Sequence, residues 1–152
     1  MLSKEFFNVL KTIERKLVLV SEPWAVYASA NLAFRGFNLT PVDIDLVTSE
    51  KGIIAIQSAL KEFLEKEIVL QKKLLRKAFF AHFKINGIEV EVMAEPENDL
   101  IKDFNLQEIE LLLFNDLKLP CYKLEKELEV YVKLNRLEKV KLIEEKLSVI
   151  SE

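Results

Sequence analysis

The sequence predicts an α/β (α+β) domain, a sheet flanked by helices, with a helical hairpin at its C-terminal end. Three observations lead there. Apolar residues recur at helical spacing near the start, at Leu2, Phe6, Phe7, Leu10, Ile13 and Leu17. The same spacing returns in the tail "YKLEKELEVYVKLNRLEKVKLIEEKLSVI". Between these ends, short runs alternate apolar with polar, and Asn86-Gly87 separates two such runs as a tight hairpin turn would.

The elements follow in order. A helix is expected from Ser3, its cap, to about Lys16. After Pro23, Trp24 to Ser29 reads as a short buried strand, and "ANLAFRG" as a turn or two of helix stopped by Gly36. "PVDIDLVTS" is a second strand with Pro41 at its start, and its apolar face (Val42, Ile44, Leu46) is expected to pack on helices. Ser49 caps a helix that the apolar spacing carries to about Lys66. Phe79 to Ile85 and Ile88 to Met93 form the hairpin arms. Residues 96–120 read as a loop and one or two short strands, with Pro120 breaking the chain. The tail makes two helices divided near Asn135-Arg136. His82, Cys121 and Trp24 read as packing residues.

Composition excludes several chemistries. The three glycines (Gly36, Gly52, Gly87) are too far apart for a dinucleotide loop or a P-loop. One His and one Cys leave no zinc ligand set and no disulfide, and the single Cys fits a reducing cytoplasm. The near balance of 22 basic and 25 acidic residues argues against coating nucleic acid by charge alone. The basic stretch Lys66 to Lys84 reads first as a solvated face and second as a surface for an anion such as RNA. No apolar run is long enough to span a membrane. Abundant Lys, Glu, Ile and Leu with scarce Gln point to a thermophile. Any metal would need oxygen ligands, which suit Mg²⁺ or Mn²⁺.

Asp43 and Asp45 are the anomaly. Asp is a poor strand former, yet these two stand one residue apart in an otherwise good strand, on one face and roughly 7 Å apart. Taken alone, the alternation is equally that of a solvent-facing strand. Glu89 and Glu91 repeat the pattern on the second hairpin arm, and clustered carboxylates of this kind suit a divalent cation that clamps a phosphoryl transfer.

"YASANLAFRGFNLTPVDIDLVTS" resembles the signature of the nucleotidyltransferase superfamily, the polymerase-β-like fold: a strand ending in Gly-Ser, a short helix, a strand carrying Asp-x-Asp, and a third acid on a later strand. The tail resembles the helical tail of small prokaryotic and archaeal members, with Leu134-Asn135-Arg136 where Leu-Gly-Arg is usual. The resemblance implies a mixed sheet, with residues 1–120 as the core and 121–152 as a helical appendage packed on it. It implies Asp43, Asp45 and Glu91 as catalytic residues and Mg²⁺ (or Mn²⁺) ligands, with Glu89 as the alternative third acid. Ala28, Ser29 and Arg35 form the implied nucleotide-binding set; Arg35 is expected to pair with a carboxylate rather than touch a phosphate. The implied activity moves a nucleoside monophosphate from a nucleoside triphosphate to a hydroxyl of a small molecule, protein or RNA end. The chain departs from the pattern at Ala28, where the family has Gly, a residue free to take positive φ. That departure and the small size leave open a weakly active or inactive module working through a homodimer or a partner subunit.

Overall fold

The computed structural model describes residues 2–73 and 76–151. Helix α1 (Lys4–Lys16) starts where Ser3 accepts the Phe6 N–H at 3.2 Å, and it buries Phe6, Val9, Leu10 and Ile13. Strand β1 (Trp24–Tyr27) stops short of the expected Ser29, because Ala28 turns to φ +62° and opens helix α2 (Ala28–Phe34). Strand β2 (Asp43–Thr48) follows, with Ile44 and Leu46 fully buried. Val42 does not join them. It stands just before the strand and is 83% exposed.

The third helix is shorter than its spacing suggests. Ser49 caps α3 (Glu50–Ala59) by accepting the Gly52 N–H at 2.9 Å, but a 3₁₀ turn at Lys61–Phe63 ends it. The chain then enters an edge strand, β3 (Leu64–Lys73), which the sequence reading missed. The register of β3 on its neighbour shifts between Leu64 and Lys66 and again between Lys66 and Val69. Such bulges break the two-residue period, so no strand pattern survives in the sequence. Strands β4 (Arg76–Ile85) and β5 (Ile88–Ala94) meet at Asn86-Gly87, both at positive φ as a type I′ turn requires. A second hairpin joins β6 (Ile109–Phe114) to β7 (Leu117–Tyr122). Pro120 does not break the chain but lies within β7, whose pairing with β1 is registered just past it, between Val26 and Cys121. Helices α4 (Leu124–Lys133) and α5 (Leu137–Ser151) are divided at Asn135, which takes φ +56°.

Among the described residues the strands form one mixed sheet in the order β3-β4-β5-β2-β1-β7-β6. β2 runs antiparallel to β1 and parallel to β5. One face, with Ile44, Leu46, Phe83, Val90 and Val92, packs on Leu10 and Ile13 of α1 and on Ile53 and Ile56 of α3. The other face carries Ala25, Val47, Phe80 and Met93, which pack with Tyr122 and with Val130 of α4. Leu32, Phe37, Leu124, Tyr131 and Ile143 bind the two C-terminal helices to α2. Cys121 is fully buried, and loss of solvent pushes its thiol up to about 12. No helix among the described residues is long and apolar enough to cross a membrane.

Candidate active site

Alternation along β2 puts Ile44 and Leu46 into the core and leaves Asp43 and Asp45 on the face that α4 covers only in part. The parallel pairing with β5 sets Asp43 opposite Glu89 and Asp45 opposite Glu91. The antiparallel neighbours extend that second row, from Tyr27 on β1 through Asp45 and Glu91 to His82 on β4. Asp43, Asp45 and Glu91 line one cleft of about 290 Å³, together with Ala28 and Ser29 at the start of α2. Glu89 does not line it. Its carboxylate is about half exposed and stands 3.2 Å from Lys84 Nζ, so the two candidate third acids have different surroundings.

The rest of the cleft is built from α4 and from the loop after β5. Glu95 folds that loop back by accepting the N–H groups of Asp103 at 2.7 Å and Phe104 at 3.0 Å. Partial burial raises the Glu95 pKa against these two bonds. The Phe104 ring then lies between Tyr27 and Tyr122, with centroids 5.1 and 5.3 Å away, and forms an aromatic wall beside the acids. Tyr131, Met93 and Phe80 continue the apolar lining, and Lys77 and Arg136 add cations at the border.

Three carboxylates from adjacent strands are a hard-oxygen donor set of the kind Mg²⁺ or Mn²⁺ takes. Among the described residues, however, no three His, Cys, Asp or Glu side chains are drawn close enough to hold an ion between them. The donor chemistry of the three carboxylates is of the kind that fits a divalent cation.

No protein-family model matches the chain, and no curated protein sequence matches it. Solved structures do. A Thermotoga maritima protein provisionally described as a nucleotidyltransferase superposes with a TM-score of 0.79 at 27% identity, over 97% of this chain and 96% of its own. The chain has the nucleotidyltransferase fold. ANT(2″)-Ia in complex with adenylyl-2″-tobramycin shares it, with a TM-score of 0.60 at 11% identity over 92% of this chain and 88% of its own. The superfamily and the mixed-sheet α/β class expected from the Asp43-x-Asp45 signature therefore hold.

Within this nucleotidyltransferase fold, several residues have surroundings that the sequence did not announce. Ala28, where the family pattern has Gly, takes the positive φ itself. An alanine pays roughly 1–2 kcal/mol in that region. The offset is a buried carboxylate: Glu127 Oε2, on α4, accepts the Ala28 N–H at 2.6 Å. A net hydrogen bond of about 0.5–1.5 kcal/mol, or about 1.5–3 to an ionised acceptor, is of the same size as the strain. Glu127 Oε2 also accepts from Asn31 Nδ2 at 2.8 Å, and burial outweighs both bonds to raise its pKa to about 7. Burial likewise drives the Tyr27 hydroxyl well up, with Asp45, Glu91 and Glu127 adding to it by charge.

Arg35, one of the residues expected to bind nucleotide, does not line the cleft. Its guanidinium donates to Asn31 Oδ1 at 3.0 Å and to Glu110 Oε1 and the Tyr122 carbonyl, each at 2.8 Å. His82, read as a packing residue, is only partly buried, and its Nε2 lies 3.5 Å from Glu91 Oε2. That proximity was present in the sequence. A two-residue turn at Asn86-Gly87 pairs Ile85 with Ile88, and counting back along both arms pairs His82 with Glu91. Glu127 had no such signal: in its own segment it is one more acid in a Glu-Lys-rich helix.

Proposed function

We propose that the cleft transfers a nucleoside monophosphate from a nucleoside triphosphate to an acceptor hydroxyl. The observation behind this reading is that Asp43, Asp45 and Glu91 share one cleft with the Ala28-Ser29 turn. The 27% identity to the Thermotoga maritima protein over nearly the whole chain supports nucleotidyl transfer as the reaction type.

In this reading the triphosphate lies with its phosphates along the Ala28-Ser29 turn, where the Ser29 hydroxyl can donate to a phosphate oxygen. Asp43 and Asp45, with Glu91, would hold Mg²⁺ or Mn²⁺, which when bound neutralises phosphate charge. Glu91 orients the acceptor hydroxyl and takes its proton as the acceptor oxygen bonds to the α-phosphorus. The bond from that phosphorus to the bridging oxygen breaks, and pyrophosphate leaves. The Phe104 wall excludes water from one side of the reacting groups and offers a flat face to a base or an acceptor ring. Rate acceleration then comes mainly from positioning and charge neutralisation.

Calorimetric titration of ATP, with and without Mg²⁺, tests the reading on the wild-type chain and on a D43A/D45A double variant. The expected result is Mg²⁺-dependent binding that the double variant loses while its circular dichroism stays native. Binding that is indifferent to both the metal and the two aspartates would overturn it, as would no binding of any nucleoside triphosphate.

A further inference from the structure

The transfer step leaves Glu127 without a task, yet its side chain is almost wholly buried and borders the cleft. Two donations converge on one of its oxygens, and a third orients the amide that makes one of them. Arg35 Nε donates to Asn31 Oδ1, Asn31 Nδ2 donates to Glu127 Oε2, and the Ala28 N–H donates to the same oxygen from the other side. Asn31 is fully buried, and its Nδ2 also donates to the Tyr122 carbonyl at 2.9 Å. The amide cannot be reversed. Reversal would turn its NH₂ toward the Arg35 N–H, and its oxygen toward both the Glu127 oxygen and the Tyr122 carbonyl. The acceptor facing Ala28 is therefore fixed by α4, by Asn31 further along α2 and by the end of β7.

A glycine at residue 28 would reach positive φ unaided, whereas alanine needs an external partner to stay there. We propose that Glu127 is a positioning residue of the nucleotide site: from α4 it holds Ala28 in the left-handed conformation that turns Ser29 into the cleft, supplying by hydrogen bonding what a glycine would supply by conformational freedom. This rests on the functional reading above. It makes α4 a part of the nucleotide site, although the residue that reaches the turn follows it by 99 positions.

Two variants and their combination test it. E127A is expected to bind Mg²⁺-ATP roughly tenfold more weakly, and A28G in that background to restore affinity to within about threefold, because glycine needs no clamp. A purely structural Glu127 would lower the melting temperature of E127A without changing ATP affinity well below that temperature, and A28G would then restore nothing. Should E127A fail to fold, E127M takes its place. It keeps the length of the side chain but offers no oxygen to Asn31 or to the Ala28 N–H, so weakened binding and rescue by A28G are again expected. Amide hydrogen exchange at residues 28 and 29 reads the clamp without any nucleotide: it must speed up in E127A or E127M. If the wild-type chain binds no triphosphate, the functional reading fails. Unchanged exchange at these amides, or wild-type affinity in a folded E127A, overturns the positioning role itself.

Discussion

Glu127 also ties the stability of the fold to pH, and the size of the effect follows from its burial. Loss of solvent raises its pKa from 4.5 to about 7, against the opposing pull of Asn31, the Ala28 N–H and the Arg35 charge. Between those two values the folded chain keeps the proton and the unfolded chain has lost it. Unfolding then releases a proton, so stability falls as pH rises. The full contribution is present below the unfolded value and is gone once pH has passed the folded one. At about 1.4 kcal/mol per pH unit, the loss is on the order of 3 kcal/mol across the window. The perturbation is E127Q, which cannot titrate. Urea unfolding of both proteins at several points from about pH 4.5 to about 8 gives two stability curves, and the other carboxylates cancel in their difference. The advantage of wild type over E127Q is expected to shrink by about 3 kcal/mol as pH rises, and then to level off. Parallel curves would refute the reasoning. An advantage that grows with pH would refute it more strongly, since it would mean that the carboxylate is folded in its charged form.

Two further predictions concern the backbone. A28G should raise the melting temperature by roughly 2–4 °C, because about 1 kcal/mol of left-handed strain at φ +62° is relieved after allowing for the extra freedom glycine gives the unfolded chain; a lower melting temperature would remove the strain argument. G52A should destabilise by about 1–3 kcal/mol, because the new Cβ would stand 1.9 Å from Thr48 Oγ1 and 3.0 Å from Ser49 Oγ. Neither neighbour is free to move: Thr48 donates to the Pro23 carbonyl at 2.7 Å, and Ser49 caps α3. A thermal melt indistinguishable from wild type would contradict that packing.

What the sequence determined by itself is local. Asp43 and Asp45 share a face because side chains alternate along any strand, and Ser3 and Ser49 cap helices because a hydroxyl there meets a free N–H within three residues. The Asn86-Gly87 turn fixes the hairpin register by counting, which delivers His82 to Glu91. The tertiary structure decided what local periodicity cannot encode. β3 is a strand because β4 offers it hydrogen-bond partners, while its bulges and its Glu and Lys residues give no two-residue pattern to read. Asp45 meets Glu91 because β2 and β5 pair in parallel, across an intervening helix and two strands that the register of neither strand foretells. Ala28 keeps a conformation its own chemistry disfavours because a carboxylate 99 residues later is buried against it. Burial is a property of the assembled layers. It converts Glu127 from a solvated helix acid into the partner of the turn and moves its pKa to about 7.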